Sequence, residues 1–340
     1  MRKNKSIIFQ AVISVIFFCG PIILYGQTTQ IRGFADVLAS FEDDEGTFGI
    51  GEQDLFITSQ LNDRFSFLGE TVFRYTPSSA TQFSVSIERI IVKFNIKGNH
   101  NLLVGKHHTP VNYWNDTYHH GRVFFPTIYR PLLFDAHIIP IHTTGISLRG
   151  QNLGDVKFGY DLMLGNGIGT SEIFDDNKAK SLTAAVHIKP SEGLRIGTSW
   201  YHDVIPEGTA TTHDGALKWK VNQNLLTGSV SYFGDKKFEF LAEGTLGFNK
   251  TDTTGVQQTV AWYAYAGIKI KEKFVPYIRI DQLHYQAGEI YYHKDNTTSF
   301  VGGVRYNINY LIAVKLEYQH QRFEEEGNMN RLTAQLAVGF

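Results

Sequence analysis

The sequence predicts an all-β protein whose strands close into a transmembrane antiparallel β-barrel of about 16 strands. Three observations support this prediction. The last ten residues, Arg331–Phe340, alternate without interruption between apolar side chains and polar or small ones. Short turn-forming segments and longer polar segments follow one another along the rest of the chain. After residue 26, no uninterrupted apolar stretch approaches the roughly 18 to 20 residues that a membrane-spanning helix requires.

The C-terminal segment has the pattern of a strand with one apolar face and one polar face. Its apolar face carries Leu332, Ala334, Leu336, Val338 and Phe340. A period of two is the repeat of a β-strand, and about ten such residues suit a barrel in the bacterial outer membrane, with lipid outside and water inside. The terminal phenylalanine resembles the signal by which barrel-assembly machinery recognises its clients. We therefore expect outer-membrane lipid, periplasmic chaperones and that machinery to be partners.

The first residues have the organisation of a secretory signal peptide. A basic segment, Met1–Lys5, precedes an apolar run, and the small residue Gly26 follows it. This pattern predicts a cleaved signal peptide at 1–26 and a barrel domain at 27–340; an uncleaved membrane anchor is the alternative. Cys19 is the single cysteine, so the mature chain would have no disulfide and no cysteine nucleophile or metal ligand.

The connections between strands predict the count of 16. Seven short turns alternate with eight longer loops, and an even number of strands returns both termini to the periplasmic side. The turns lie near residues 62–63, 98–99, 152–155, 190–193, 234–235, 271–273 and 307–309. The loops lie near residues 42–46, 75–82, 109–141, 166–178, 204–216, 249–257, 286–297 and 324–330. Because such boundaries shift by about two to four residues, counts of about 14 and 18 are the alternatives.

Composition and charge exclude other classes of protein. The formal net charge is −1, which argues against nucleic acid as a partner. A soluble sandwich would place apolar side chains on its inward faces, whereas several predicted strands here carry charged residues on one face. A charge facing lipid costs about 2 to 4 kcal/mol at the membrane midplane, so we expect these charges to point into a water-filled interior. One segment, Ile87–Phe94, breaks the alternation and predicts a β-bulge or a face buried in a subunit contact.

The segment at about 109–141 is the longest connection, and strand parity makes it the third extracellular loop. Loops longer than about 12 to 15 residues are usually functional. This loop contains four of the nine prolines and seven aromatic residues, which stiffen it and give it apolar mass to bury. We expect it to fold into the barrel and narrow the pore, so that deletion of about residues 115–135 would raise the single-channel conductance.

Three runs of residues in and before this loop resemble porins of Bacteroidota-type bacteria, near the phosphate-selective porin superfamily. They are Val104–Trp114, Tyr118–Gly121 and Pro126–Pro131, in which a glycine-and-basic strand end is followed by a Thr-Pro-x-x-Tyr-like entry into the third loop. The resemblance implies a homotrimer of barrels with that loop inside each pore. The chain lacks the dense stretch of Tyr, Arg and Lys that would form an arginine ladder, so phosphate selectivity is not expected.

Charged side chains that are predicted to point inward are the candidates for ion selectivity. On the pore wall, residues of both signs partly cancel and form cross-strand pairs, which predicts weak selectivity. The pore-wall candidates are Glu70, Arg74, Arg279, Asp281, Arg305, Lys315 and Glu317. The candidates for the constriction are Lys106, His108, Asp116, His119, His120, Arg122, Arg130 and Asp135. If Arg122 and Arg130 line the opening, they favour anions; alternatively, they hold the loop against inward-facing carboxylates.

Histidine is concentrated in one region, with seven of the 13 between His100 and His142. Imidazole is a common ligand for zinc and copper, and His107, His119, His137 and His142 would converge if the loop folded back. No fixed metal-ligand spacing is present. We therefore interpret these histidines as hydrogen-bonding loop residues, and we expect neither a metal nor another cofactor.

The predicted function is that of an outer-membrane porin, a passive diffusion channel for small hydrophilic solutes or ions that is filtered by pore radius and fixed charge. A barrel that binds glycans or phage, or that is purely structural, is the alternative. An enzyme would need a serine–histidine pair such as Ser147 with His142, or Ser199 with His202. Neither serine lies in the local motif of a catalytic nucleophile, so we expect no enzymatic activity.

Overall fold

The structure of the protein, a computed structural model, describes residues 28–42, 45–76, 78–118, 121–168, 178–212, 215–234, 237–292 and 295–340. The predicted signal peptide at 1–26 lies outside these residues, as do His119 and His120 of the predicted constriction. Within the described ranges, no helix has the length and apolar character needed to cross a bilayer.

Sixteen strands in the described part of the chain form one closed antiparallel barrel, which confirms the predicted fold class and strand count. Each strand pairs with its neighbours in chain order, and the connections fall where the sequence predicts them. The strands are β1 (Thr28–Glu42), β2 (Glu45–Gln60), β3 (Phe65–Tyr75), β4 (Phe83–Lys97), β5 (His100–His108), β6 (His142–Leu153), β7 (Phe158–Gly165), β8 (Ser181–Ser191), β9 (Leu194–Ile205), β10 (Val221–Phe233), β11 (Phe238–Thr251), β12 (Gly255–Ile268), β13 (Phe274–Tyr285), β14 (Thr297–Asn309), β15 (Ile312–Phe323) and β16 (Asn328–Gly339).

Closure of the barrel depends on the last strand. In the ladder between β1 and β16, Phe34 lies opposite Gly339. Next to this pair, Gly33 and Phe340 exchange two backbone hydrogen bonds, each with an N···O distance of 2.9 Å. A closed barrel has no edge strand whose backbone groups would face hydrocarbon without partners, so the predicted terminal strand completes a wall that can stand in a membrane.

Side-chain alternation explains which face of each strand lies inside the barrel. On β16, Thr333 and Gln335 point inward and are 0% and 2% exposed, whereas Leu332 and Leu336 point outward and are 44% and 42% exposed. Lipid tails are as apolar as leucine, so an apolar outer face suits this solvent. The polar groups that hydrocarbon would penalise are therefore collected inside.

Two register shifts lie in the middle of strands β1 to β4. The ladder of β1 with β2 shifts beside Ala35, and the ladder of β3 with β4 shifts beside Glu70. The second shift leaves Glu88 as an extra residue, which confirms the bulge predicted for Ile87–Phe94. Since a bulge re-aims the side chains next to it, Glu88 and Arg89 can both point into the barrel, where they form ion pairs.

The long loop at 109–141 contains the helical turns of the described chain. They are α1 (Tyr113–Thr117), a 3-10 helix (Arg122–Phe124) and α2 (Leu132–Asp135). Gly121 precedes the 3-10 helix with a φ of 84°, a conformation that a residue with a Cβ adopts at a cost. The loop is thus a compact, folded segment rather than an extended strand of backbone.

Candidate functional site

The loop at 109–141 packs against the inner face of strands β9 to β14. Its side chains Trp114, Phe125, Leu133 and Phe134 are at most 3% exposed, and they form one hydrophobic cluster with wall residues such as Tyr263. The ring centroids of Trp114 and Tyr263 lie 6.0 Å apart in an edge-to-face arrangement. Burial of a large apolar side chain contributes about 1.5 to 3 kcal/mol, which explains why a loop rich in aromatics lies against the wall instead of extending into water.

Two carboxylates on the wall accept hydrogen bonds from backbone amides in the first turns of the loop's two short α-helices. Glu243 on β11 accepts hydrogen bonds from the amides of Tyr113 and Trp114, the second at 3.0 Å. Asp281 on β13 accepts one from the amide of Leu132 at 3.1 Å. The first amides of a helix have no partner within the helix, and negative charge is favourable there. Wall and loop therefore satisfy each other's buried polar groups.

Arg279 on β13 is the most extensive cationic anchor of the loop. Its Nε lies 2.8 Å from Oδ2 of Asp281. Its remaining nitrogens donate to Oγ1 of Thr127 at 2.6 Å, to the carbonyl of Tyr129 at 2.7 Å and to the carbonyl of Arg130 at 3.2 Å. The planar guanidinium group has several donors in a fixed fork, so a single side chain orders one hydroxyl group and two backbone carbonyl groups of the loop.

Two further cations hold the middle of the loop. Nζ of Lys315 donates to the carbonyl oxygens of Arg122 at 2.6 Å and of Thr127 at 3.2 Å. Arg305 donates to the carbonyl of Pro126 at 3.2 Å. Backbone carbonyl groups that are buried without a donor are costly, and these cations supply the donors.

Five of the predicted pore-wall residues therefore lie beneath the loop. They point inward, as the alternation predicts, but the loop covers them so that each is at most 7% exposed: Arg279, Asp281, Arg305, Lys315 and Glu317. Glu317 accepts a hydrogen bond from the amide of Ile128 at 2.8 Å. Alternation in the sequence predicts whether a side chain points into or out of the barrel. It does not predict whether an inward-facing side chain contacts water or the loop.

A polar cavity of about 550 Å³ remains between the loop and the opposite part of the wall. The wall contributes Glu52, Arg74 and Glu88, and the loop contributes Arg122, Arg130, Asp135 and His137. Four predicted constriction or pore-wall residues thus meet here: Arg74, Arg122, Arg130 and Asp135. The predicted pore-wall residue Glu70 is 1% exposed and forms an ion pair with Arg89 of β4.

Charges of both signs alternate around this cavity. Nε of Arg74 lies 2.7 Å from Oε1 of Glu52, and its Nη1 lies 3.1 Å from Oε1 of Glu88. From the loop, Nη2 of Arg122 lies 3.3 Å from Oε1 of Glu52. Arg122 therefore combines the two roles that the sequence left as alternatives, because it lines the cavity and also joins the loop to a wall carboxylate.

Desolvation shifts the pKa values of two loop residues at the cavity, Asp135 and Arg130. It raises the pKa of Asp135 above the ordinary value, although the charges of Arg130 and Arg122 oppose the shift. Desolvation also lowers the pKa of Arg130, and the neighbouring charge of Arg122 adds to that effect. A raised pKa means that Asp135 loses its charge at a higher pH than an aspartate in free solution does.

Glu52 and Glu88 are the two charged cavity residues that sequence reasoning missed. Both lie at the register shifts described above, Glu52 on β2 next to the bulge and Glu88 as the extra residue of β4. A strict two-residue alternation fails at such positions, because the bulge re-aims the side chain. The signal that could have identified Glu88 is the broken pattern of Ile87–Phe94, within which a charge facing lipid would be costly.

Lys106 and His108 lie at the end of β5 and reach strands β3 and β4. Nζ of Lys106 donates to the carbonyl oxygen of Ile87 at 2.7 Å, and Nε2 of His108 lies 4.0 Å from Oε2 of Glu70. Asp116 lies elsewhere, on α1. Its carboxylate is 3.5 Å from Arg149 and 3.9 Å from Arg195. His108 and Asp116 nevertheless line one common cavity of about 330 Å³. None of these three predicted constriction residues lines the larger cavity described above.

The histidines of the predicted metal set occupy different surroundings. His107 is 2% exposed, His137 lines the cavity, and Nε2 of His142 lies 2.9 Å from Oε2 of Glu88. Among the residues that the structure describes, no group of three or more His, Cys, Asp or Glu side chains has a geometry that could hold a metal ion.

The two candidate serines of an enzyme have other partners. Oγ of Ser147 donates to Asp161, and Oγ of Ser199 lies 2.5 Å from Oγ1 of Thr227. His202 lies on the opposite face of β9 from Ser199, beside Asn224 at 3.2 Å. The second predicted pair is thus divided by the barrel wall.

No protein-family profile matches the chain, and no curated protein sequence matches it. Solved structures match nearly all of it. An anion-selective porin from Comamonas acidovorans is 11% identical, with 93% of this chain and 100% of that chain covered and a TM-score of 0.68. The trimer form of OmpT, an outer membrane protein of Vibrio cholerae, is 12% identical, with coverage of 93% and 100% and a TM-score of 0.66. The outer membrane channel DcaP of Acinetobacter baumannii is 11% identical, with coverage of 93% and 98% and a TM-score of 0.65. The fold is that of bacterial outer-membrane barrels, as the sequence predicts.

Proposed function

We propose that the protein is an outer-membrane porin through which small hydrophilic solutes and ions diffuse along an off-centre path. One observation carries this proposal: the loop at 109–141 covers the inner face from β9 to β15 and leaves a polar cavity against the opposite wall. Neighbouring structures described as porins and channels support it. In this proposal the loop is the constriction, as the sequence predicts, and no enzymatic step is involved.

The filter at this constriction is mainly one of size. Arg74, Arg122 and Arg130 stand against Glu52, Glu88 and Asp135, so the formal charges cancel when all six groups are ionised. Cancelling charges give weak ion selectivity. The cavity volume of about 550 Å³ falls within the roughly 300–1,000 Å³ of sites that accommodate small molecules.

We extend the proposal to assembly and export. The signal peptide at 1–26 would direct the chain to the periplasm, and chaperones and barrel-assembly machinery would insert it into the outer membrane as a homotrimer. The trimer form of the Vibrio cholerae neighbour supports the oligomeric state. The likeness of Val104–Trp114 to Bacteroidota-type porins supports it as well, and Phe340, which is 58% exposed, stands ready for recognition by the assembly machinery.

The proposal is tested by recording purified protein in planar bilayers and by swelling of proteoliposomes in sugar solutions. We expect discrete conductance steps and entry of small sugars. In Arg122→Ala/Arg130→Ala, the formal charge at the cavity changes from zero to −2, so the conductance rises and the reversal potential in a salt gradient shifts toward cation preference.

The matched control is Arg64→Ala/Arg322→Ala. Both arginines are exposed, one in a turn and one on the outer face of β15, so the same loss of two charges leaves the reversal potential unchanged. Wild-type protein that folds but gives neither conductance nor swelling would contradict the porin and favour a binding or structural barrel.

A further inference from the structure

The wall of the barrel is interrupted between β4 and β5 at the end that carries the longer loops. The ladder between these strands ends at the pair Ile90–Lys106, although both strands continue beyond it. β5 stays paired with β6 as far as its last residue. The segments 106–108 and 142–144, which we call the hairpin tip, therefore leave the wall together beyond two contacts at their base: the Ile90–Lys106 pair and the hydrogen bond from the amide of Asn166 to the carbonyl of Thr144 at 3.0 Å. The hairpin tip carries the loop at 109–141.

The hairpin tip bends into the barrel. Lower on the same strands, Val104 and Ile146 point outward and are 45% and 49% exposed. Lys106, His108 and His142 have the same strand parity, so a straight wall would point them toward lipid. Their side chains are instead almost fully buried and contact groups on the inner side of β3 and β4. The side of the hairpin tip that continues the outward-facing surface of β5 and β6 therefore packs against the inward-facing side of β3 and β4.

Three contacts, which we call the clasp, join the tip to the wall. They are Nζ of Lys106 with the carbonyl of Ile87 (2.7 Å), Nε2 of His142 with Oε2 of Glu88 (2.9 Å) and Nε2 of His108 with Oε2 of Glu70 (4.0 Å). The rings of His108 and His142 also lie 5.5 Å apart. Each of these contacts uses a side chain of the tip and adds to the backbone contacts at its base, whereas backbone ladders join neighbouring strands in the rest of the wall.

A row of three glycines marks the line along which the wall bends. Gly105 lies opposite Gly145 in the β5–β6 ladder, and Gly145 lies opposite Gly165 in the β6–β7 ladder. Gly105 has a φ of 135°, and a Cβ there would collide with the carbonyl oxygen of Ile90. A Cβ on Gly145 would collide with the carbonyl oxygen of Leu164. Only glycine permits so close an approach of backbones, and the row acts as a crease across three strands.

The tip reaches the cavity through the segment that returns from the loop to β6. His137, Ile139, Pro140, Ile141 and His142 all line the cavity. The far part of the loop is fixed to β11–β15 by the anchors described above. A change in the angle of the tip is therefore taken up by the two segments that connect it to the anchored loop, 109–112 and 137–142. In the second, the carbonyl of Ile138 is held by the hydroxyl group of Tyr292 at 2.8 Å, so the change falls on residues next to Arg74 and Glu88 of the wall.

We propose that the hairpin tip is a hinged positioning element, which turns on the glycine row, and that the clasp sets the width of the cavity. This inference rests on the proposed porin function. A second arrangement is available to the same strands, because continuing the β4–β5 register would place His107 opposite Arg89 and His108 opposite Glu88. Two discrete packings of one element are the usual basis of a conformational switch. In the proposal, the contacts of the clasp limit the distance between segment 137–142 and the wall, and this distance is the width of the cavity.

The first test uses Lys106→Met, which removes one clasp contact but no charge at the cavity. We expect a larger mean conductance and more current fluctuation in the open channel than in wild type. The matched control is Lys93→Met, which removes an exposed lysine from β4 at the other end of the barrel. That control keeps the wild-type fluctuation. Folding of each variant is checked by its heat-modifiable mobility on gels.

The second test joins the clasp covalently. The barrel domain has no cysteine, because Cys19 is the single one in the chain. Glu88→Cys/His142→Cys is recorded before and after bridging with dibromobimane, whose fluorescence reports the link. Bridging should reduce the conductance and suppress the fluctuation, which a merely structural role would not do. The pair Ser199→Cys/Thr227→Cys, opposite each other in the β9–β10 ladder, is the control and should show no change on bridging.

Two outcomes separate this inference from the function on which it rests. If Lys106→Met gave the same currents as wild type, and bridging positions 88 and 142 had no effect, the hinge proposal would be wrong but the proposed porin function would be unaffected. Folded wild-type protein without any conductance would instead refute the porin.

Discussion

The part of the wall from β11 to β15 and the part from β2 to β4 carry the same kinds of ion pair but differ in their access to water. In the first, Arg279 and Asp281 lie 2.8 Å apart with side chains that are 0% and 1% exposed. In the second, Arg74 and Glu52 lie 2.7 Å apart with side chains that are 35% and 12% exposed. The same chemistry fixes a loop in the covered half and lines an aqueous cavity in the open half.

Tyrosines on the wall explain why the loop covers one half and not the other. Tyr263 and Tyr265 on β12 and Tyr277 on β13 point inward and are at most 4% exposed. Their rings give the loop an apolar surface, while the hydroxyl groups of Tyr265 and Tyr277 donate to Glu239 at 2.8 Å and Glu317 at 2.7 Å. A tyrosine can be buried when its ring is packed and its hydroxyl group is satisfied. The covered half is thus prepared for burial by its own sequence.

The largest expected effect is that of Arg279→Met in the covered half. The substitution leaves Asp281 buried without its cation and removes the donor of three loop acceptors. Loss of one partner of a buried pair typically costs about 3 to 5 kcal/mol, so the free energy of unfolding should fall by about that amount. Denaturant titration of the reconstituted protein measures it, and bilayer recording should show a noisier channel.

The control for this prediction is Arg322→Met, because Arg322 is exposed on the outer face of β15. A surface substitution away from special features changes stability by about 0.5 kcal/mol or less. If Arg279→Met were equally mild, the covered ion pair would not be an anchor, and the contrast between the two halves would lose its energetic basis.

The fold could be predicted from the sequence because a barrel is built from local patterns. Alternation and turn residues identify each strand without reference to the others, and the direction of Arg279, Arg305 and Lys315 follows from that alternation. What covers them could not be predicted, since it depends on contacts between distant parts of the chain. The contact of Tyr113 with Glu243, for example, joins residues 130 positions apart.

The candidate site was predicted in part for the same reason. Arg122, Arg130 and Asp135 could be found because they lie in an unusually long loop, and Arg74 because it lies on a regular strand. Glu52 and Glu88 could not, because a bulge next to each of them breaks the alternation on which the assignment of faces depends.

An intermediate effect is expected from the titration of Asp135, which faces the open half from the loop. Its side chain is exposed to the cavity, yet desolvation by the surrounding loop and wall raises its pKa, so the carboxyl group becomes neutral as the pH falls through a value above that of an ordinary aspartate. The charge at the cavity then becomes more positive by one unit, and anion preference should increase on acidification. Reversal potentials measured from neutral to acidic pH should show this shift.

The variant Asp135→Asn gives the matched comparison for this titration. At neutral pH, this variant should show the anion preference that the wild-type protein shows only at acidic pH. Its reversal potential should depend much less on pH than that of wild type. Acidification should also stabilise the folded protein through this group. Because the carboxyl pKa is higher in the folded state than in the unfolded state, the free energy of unfolding increases as the pH falls through the folded-state pKa. A pH dependence that survives in Asp135→Asn would assign the titration to another group at the cavity.

The smallest effect on stability is expected from Arg74→Met, although its ion pair is as short as that of Arg279. Water and salt reach the side chain of Arg74, and partly exposed pairs contribute about 0 to 1 kcal/mol. The coupling energy from the double-mutant cycle of Arg74 with Glu52 should therefore be well below that of Arg279 with Asp281.

The variant Arg74→Met should instead shift the reversal potential toward cation preference, because it removes a positive charge from the cavity. Equal coupling energies in the two cycles would mean that cover by the loop is not what separates the two halves, and the division into an anchoring wall and a filtering wall would have to be abandoned.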